Sequence, residues 1–280
     1  WRHIYLVSVE GKSIKTVTSG DFDVTEILGI DDDAQWIYFY ASPSNATQSY
    51  LYRVQFDGSD LQRVTPESKT GTHRYVLSPD RKRAIVTSSQ FDSPPTTEVV
   101  RLSDHSTEFV AEANSKLRAR VEAAQLPPSE FFRVDIGDDV ELDAWCILPP
   151  DLDPSKKYPL IVHVYGEPAG QTVLDQWGGD RLLWHSMLAQ KGYVVMSFDN
   201  RGTPAPRGRD WRKSVYRQIG ILASADQAAA VKSVLKERPY LDPDRVGVWG
   251  WSGGGSMTLN ALFRYPDIYA TGVSIAPVPN

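Results

Sequence analysis

RVGVWGWSGGGSMTLNALFRYP, residues 245 to 266, carries three kinds of local structure in succession. Val246-Gly247-Val248-Trp249 is a short apolar run with the character of a buried strand. Gly250-Trp251-Ser252-Gly253-Gly254 follows at once. From Ser256 to Tyr265 the residues Met257, Leu259, Ala261, Leu262 and Tyr265 fall at helical spacing. Strand, tight turn and helix form the context in which G-x-S-x-G marks a nucleophile elbow. Crowding explains the glycines. The serine at the tip of such a turn is strained, and side chains two positions to either side would collide, so Gly250 and Gly254 fill those places. The helix that follows points its free N–H groups and positive end back at Ser252, where negative charge develops during acyl transfer. A five-residue match alone is a weak signal, open to reading as a glycine-rich turn that holds a serine. The strand before it, the helix after it and the turn Leu241-Asp242-Pro243-Asp244 leading in make it specific.

At 280 residues the chain has room for two domains. It opens on Trp1 and is expected to be cut from something longer. A net charge of −5 argues against a nucleic-acid platform. The stretch Arg201 to Arg217 is locally basic, but Pro204 and Pro206 within it favour a solvated loop over a phosphate groove. The single cysteine, Cys146, lies in an apolar run and excludes an internal disulfide. No apolar stretch reaches the roughly 18 residues of a membrane span. Asn45-Ala46-Thr47 matches a glycosylation acceptor, a pattern too short to weigh much.

The first part of the chain repeats itself. Ile4 to Gly11 lines up with Leu51 to Gly58 at an offset of 47, so that Tyr5 meets Tyr52, Val7 meets Val54 and Gly11 meets Gly58. Val17-Thr18 meets Val64-Thr65 at the same offset, Asp32 and Ile37 meet Asp80 and Ile85 at 48, and Leu102 lies 48 beyond Val54. Alternating strands are expected at residues 3–9, 24–30, 36–41, 50–56, 75–78, 84–88 and 98–102, with Asp-Gly and Ser-Pro turns between. A four-stranded unit of this period is a propeller blade, and about two and a half units are present. The competing reading is a plain meander with chance similarity.

Near Thr107 the rhythm changes. Glu112 to Gln125 has helical spacing and ends at Pro127-Pro128. A hairpin is expected around Gly137-Asp138-Asp139, followed by buried strands at residues 160–165, 193–198, 246–249 and 271–275, with helices at 181–191, 223–237 and 255–265 between them. Such alternation implies a parallel sheet covered on both faces, with its ligand site at the C-terminal ends of the strands. Ser252 and Tyr165 both stand at such ends. The expected organisation is a partial β-propeller over residues 1–110, a connecting helix and Pro-rich linker over 111–130, and an α/β-hydrolase catalytic domain over 131–280 that stops after the nucleophile.

Together with these repeats, Val164-Tyr165-Gly166-Glu167-Pro168, Asp199-Asn200-Arg201-Gly202-Thr203 and Trp249-Gly250-Trp251-Ser252-Gly253-Gly254 resemble the prolyl oligopeptidase family of serine peptidases, in its dipeptidyl peptidase IV branch, especially the bacterial members. The resemblance covers nearly the whole chain. It implies a propeller joined to an α/β-hydrolase domain with the active site in the cavity between them, no cofactor, a short peptide substrate, and release of N-terminal dipeptides with proline or alanine second. It also implies a periplasmic or secreted location and admits a homodimer. Carried over, Ser252 is the nucleophile, the Gly253 backbone N–H one oxyanion donor and the Tyr165 hydroxyl the other, with Gly250, Trp251 and Gly254 shaping the elbow. The plainer alternative for Tyr165 is an aromatic packed under a loop at a strand end. Two positions depart from the family pattern. Gly253 stands where a Tyr often follows the serine, and Glu167 where Gly or Ala is frequent. A carboxylate aimed into an oxyanion hole would oppose catalysis, so Glu167 is expected to face away or to pair with an Arg.

Acyl transfer also needs a histidine base and an orienting carboxylate, which follow the serine in α/β-hydrolases. Only 28 residues follow Ser252, none of them His, and their one acid, Asp267, closely trails the elbow helix. His3, His73, His105, His163 and His185 all precede the serine, and His163 reads as a satisfied core histidine. The base and its carboxylate are therefore expected outside this chain, and the resemblance implies the same of the paired glutamates that hold a substrate's free amine, which it places upstream of Trp1. Two other functions share the scaffold: an acylaminoacyl-peptidase or esterase, which an amine-binding acidic pair would exclude, and a non-catalytic binding protein, which an intact Ser252 and Tyr165 argue against.

Overall fold

The computed structural model describes residues 1–278. The chain forms two compact units. The first comprises Trp1–Ala124 with two short later segments, Leu174–Gly178 and Pro206–Arg209. The second comprises Gln125–Val173, Gly179–Ala205 and the chain from Asp210 on.

In the first unit β1 (Tyr5–Val7) and β2 (Ile14–Thr16) form an antiparallel pair. β3 (Glu26–Asp31), β4 (Trp36–Ala41), β5 (Tyr50–Gln55) and β6 (Gln62–Arg63) form a four-stranded meander, and β7 (Thr72–Leu77), β8 (Arg83–Gln90), β9 (Ser93–Arg101) and β10 (Thr107–Glu112) form a second. The repeat offset superimposes β1 and β2 on β5 and β6, so the first pair is the outer half of a third blade. Strand alternation builds the packing between blades. On β4, Ile37, Phe39 and Ala41 join a core with Ile4, Val17, Phe22 and Val24, whereas Tyr38 and Tyr40 point to the other face and pack with Tyr75, Ala84, Val86 and Val100. The two later segments are stitched to this unit by hydrogen bonds. The Asp175 amide donates to the Thr47 carbonyl (2.8 Å), Gln48 Nε2 donates to the Asp175 carboxylate (2.7 Å), and the Gly208 amide donates to that of Asp23 (2.8 Å).

Some local readings need correction. The β8–β9 hairpin runs well past the expected strand ends, through Pro94 and Pro95. A register irregularity between Ser88 and Gln90 accommodates the prolines, as bulges do. Helix α1 (Ser115–Ala123) is shorter than its pattern and buries none of its residues.

The second unit is built on one six-stranded sheet of order β11-β12-β14-β13-β15-β16, formed by β11 (Ser129–Asp135), β12 (Glu141–Ile147), β13 (Tyr158–His163), β14 (Val194–Asp199), β15 (Leu241–Trp251) and β16 (Thr271–Ile275). It is mixed rather than all parallel. The β11–β12 hairpin turns at Gly137, Asp138 and Asp139, all at positive φ, and β12 runs antiparallel to β14. The other four strands are parallel. Helix α2 (Gly179–Gln190) lies on one face; α4 (Leu222–Glu237) and α5 (Gly253–Arg264) lie on the other. Alternation along β15 sorts the two: Val246 and Val248 join the core with Ala228, Val231, Met257 and Ala261, whereas the Trp249 ring meets Trp184 of α2 (centroids 4.7 Å). Helix α3 (Gly208–Lys213) interrupts the basic stretch, and Arg201 within that stretch is held by an ion pair to Asp226 rather than solvated. After β14 the chain crosses β13 to enter β15 on its far side, so β13 and β15 flank the point where strand order reverses.

Candidate active site

Ser252 follows β15 directly, at φ 57° and ψ −117°, a backbone conformation that non-glycine residues rarely adopt. Its amide donates to the Ile275 carbonyl (2.9 Å), which continues the ladder to β16, and its own carbonyl accepts from the Ser256 amide (3.0 Å). The strain is thus held from both sides. The neighbouring glycines are required by space: a Cβ on Gly250 would collide with the carbonyl oxygens of Val164 and Gly254, and one on Gly254 with that of Val164. β15 and α5 therefore approach the end of β13 more closely than any side chain would permit. Ser252 is exposed, its Oγ makes no hydrogen bond to a described residue, and α5 begins at Gly253 with its free amides toward it. Trp251 is 58% exposed beside it.

Tyr165 stands just past β13, the strand next to β15. Its ring lies against Gly170, where an added Cβ would sit 3.1 Å from Cε1. Gly166 turns the chain at φ 76°, and a Cβ there would meet Met257 at 2.8 Å. A buried amide network pins this turn. Asn200 Nδ2 donates to the Gly166 carbonyl (3.1 Å), and Gln227 Nε2 donates to Asn200 Oδ1 (3.0 Å) and to the Phe198 carbonyl (2.7 Å). One residue on, Arg201 donates from Nε and Nη2 to the Asp226 carboxylate (3.0 and 2.7 Å), tying the end of β14 to α4. The sequence points to Asn200 only as part of the Asp199–Thr203 motif, with no role of its own, and does not point to Gln227 or Asp226. The DNRGT motif marks the loop, but its partners are 25 and 27 positions away on α4 and nothing local points to them.

Comparison with known proteins bears on this geometry. The prolyl oligopeptidase family profile matches residues 183–280, and that of the dipeptidyl peptidase IV N-terminal region matches residues 1–95. Dipeptidyl peptidase 4 of Trichophyton equinum is 30% identical over 280 residues, 99% of this chain and 36% of that protein. That of Arthroderma otae gives the same values, 30% over 280 residues, 99% and 36%. The crystal structure of Porphyromonas gingivalis dipeptidyl peptidase 4 matches with a TM-score of 0.91 at 34% identity, covering 99% of this chain and 38% of that one. The chain belongs to the prolyl oligopeptidase family. It spans 36% of the length of the curated relatives it matches. Its two units are the β-propeller and α/β-hydrolase parts of that family's architecture.

The two departures from the family pattern are neighbours in space. Glu167 neither faces away nor pairs with an arginine. Its carboxyl group lies over Gly253, 2.5 Å from where a Cβ of that residue would be. Glycine at 253 leaves room, and the carboxylate fills it.

His163 is buried but not satisfied. Its ring packs among Trp145, Trp249 and His185, with centroids 6.3, 4.6 and 5.2 Å away. Its Nδ1, and Nε2 of His185, have no described partner. Desolvation holds His163 well below its ordinary value of 6.5 and His185, with help from the Arg181 charge, down at about 3. Asp199, at the end of β14, moves the other way. Burial raises it to about 6 although the Thr172 and Val173 amides and the Thr172 hydroxyl donate to it.

These shifts predict how stability responds to pH. Below 6.5 the unfolded chain protonates both histidines and the folded one does not, so stability is lost progressively as pH falls through and below that value. Between 3.8 and about 6 the folded state protonates Asp199 when the unfolded state does not, so this group's contribution falls as pH rises and offsets one of the two protons. Among these three groups the histidines win. The melting temperature of the full-length protein should fall between pH 7 and 5, and His185→Leu should flatten that fall in thermal scans. An unchanged slope would mean the ring is hydrated and protonates in place.

Proposed function

We propose that the full-length protein is a serine exopeptidase of dipeptidyl peptidase IV type, releasing N-terminal dipeptides with proline or alanine second, and that this chain carries its nucleophile and oxyanion donors. The observation that supports this most is Ser252, exposed at φ 57° on the tip of a strand-to-helix turn whose flanking glycines admit no side chain, next to the strand that ends at Tyr165.

Ser252 Oγ attacks the carbonyl carbon of the second residue of the substrate while a histidine from outside residues 1–280 takes its proton. The carbonyl oxygen becomes an oxyanion and accepts hydrogen bonds from the Gly253 amide and the Tyr165 hydroxyl, aided by the α5 dipole. The C–N bond then breaks, the histidine's proton goes to the departing amine, and the dipeptide remains esterified to Ser252. Water releases it by the reverse proton path. The amide network through Asn200 and Gln227 holds the Tyr165 turn at its place throughout.

Proline-directed dipeptide release has a direct test. The full-length protein should hydrolyse Gly-Pro 4-nitroanilide and cleave the N-acetylated compound at least about 100-fold more slowly, because acetylation removes the charge a dipeptide-releasing site must bind. Equal rates on the two would favour an acylaminoacyl-peptidase or esterase.

A further inference from the structure

We propose that a cleft on the blade β7–β10 binds a phosphate group, either free or carried by a small hydroxylated molecule. The cleft has a volume of about 390 Å³ and lies between the β6–β7 connection, the β8–β9 hairpin and α1. It belongs to the first unit alone, and the inference does not rest on Ser252.

Strand alternation creates the site. The face of this blade that packs on its neighbour is apolar at one end, where Tyr75, Val86 and Val100 join the core. Further along the same strands that face turns polar: His73, Ser88 and Thr96 pair across β7, β8 and β9 in one row, and all three line the cleft. His73 is only 1% exposed. Its Nε2 meets the Thr70 carbonyl (3.1 Å), which can only accept, so the proton sits on Nε2 and Nδ1 is a buried acceptor with no described partner. Such an atom costs stability until something donates to it.

The hydroxyls around it have the opposite polarity. Ser93 and Thr96 accept from Arg118 (3.0 and 2.7 Å), Ser89 from the Trp177 amide (3.0 Å) and Thr70 from Gln90 Nε2 (2.9 Å). None of the four donates to a described residue, so four O–H groups on the wall remain to donate. Lys69 Nζ adds a charged donor. Its partner Glu98 is the only carboxylate among the described residues of the wall, and it is already answered, by Lys69 (3.0 Å) and by the Thr107 hydroxyl (2.9 Å). Lys69 and Arg118 are two cations against that one carboxylate, and His73 is neutral because desolvation lowers it to about 4, so the wall is net positive. A cationic wall rich in donors, with one buried acceptor, matches a phosphate group. Its terminal oxygens take hydrogen bonds from several hydroxyls and an ammonium at once, more than the two oxygens of a carboxylate can. A hydroxyl of the ligand, or the proton of hydrogen phosphate, then donates to His73 Nδ1. A cavity of this size also admits more than the phosphate group itself.

The test is isothermal titration calorimetry of the full-length protein in a phosphate-free buffer, with inorganic phosphate, glycerol 3-phosphate and glycerol as probes. Calorimetry serves better than thermal scans, because phosphate stabilises proteins without binding, by exclusion from their surface. At least one of the two phosphate compounds should bind with a Kd of about 1 mM or tighter, and glycerol should not bind. Lys69→Gln, at a partly exposed position, should weaken that binding about 10-fold or more, as loss of a charged hydrogen bond does. The two sources separate by rank. Tighter binding of glycerol 3-phosphate, with the advantage lost in His73→Phe, assigns the site to a phosphorylated hydroxylated molecule; an affinity no better than that of inorganic phosphate assigns it to free phosphate. Lys69→Gln decides the main point whether or not the His73 variant folds. No binding of either phosphate compound, binding of glycerol as tight as theirs, or an affinity that Lys69→Gln leaves unchanged would overturn the proposal.

Discussion

Ser252→Ala in the full-length protein should reduce peptide hydrolysis by about 10⁴-fold or more while leaving the fold intact. Alanine removes only the hydroxyl. The strain at φ 57° remains, but it is held by the Ile275 carbonyl, the Ser256 amide and the tight approach of Gly250 and Gly254 to β13, all of which are backbone features. Among the described residues no other hydroxyl-bearing residue stands at a positive φ, and Ser256, one turn into α5, is tied to the Val278 backbone. Steady-state rates on a proline anilide, with circular dichroism to check folding, measure both halves. Retention of a few per cent of the rate would mean that another group performs the attack.

Tyr165→Phe should lower kcat by roughly two to three orders of magnitude with KM little changed. A donor to the oxyanion acts after the carbonyl oxygen has gained charge, and is worth roughly 3–4 kcal/mol at that stage. The ring itself should stay where it is, because it rests on Gly170 and the turn beneath it is held by Gly166, Asn200 and Gln227. Phenylalanine keeps that packing. The KM and kcat split is therefore informative. A raised KM with unchanged kcat would make Tyr165 a substrate-packing residue, and no change in either would return it to the plain role of a strand-end aromatic.

The architecture was legible where a single chain segment carries the signal. β4 reads as a strand because its alternation serves two cores, Ile37 and Phe39 on one side and Tyr38 and Tyr40 on the other. β13 and β14 read as buried runs because helices cover both faces of the sheet. The outer strands β2, β6 and β10 escaped notice for the opposite reason. β2 and β10 are exposed at every position and β6 is only two residues long, so no alternation of apolar and polar residues marks them. Pro94-Pro95 hid half of β9, since prolines argue against a strand unless a bulge receives them.

At the site, the motifs were visible and their wiring was not. Gly250, Ser252 and Gly254 follow from the crowding of one turn. The meeting of Glu167 with Gly253 depends on two loops brought together by neighbouring parallel strands, and the sequence alone led to the wrong direction for that carboxylate. Asn200 and Gln227 meet through the packing of α4 on the sheet, which no spacing rule anticipates. His163 illustrates the limit of a default: the position is buried as its strand pattern requires, but its Nδ1 lacks the partner that burial usually brings.

The central claim is that Ser252 is the atom-bearing nucleophile of the full-length protein. The most direct measurement is to treat that protein with a fluorophosphonate, digest it and map the modified residue by mass spectrometry. A single adduct on Ser252, absent after prior saturation with a Gly-Pro substrate analogue, is the predicted result. An adduct on any other serine, or no adduct under conditions where the protein hydrolyses peptides, would contradict it.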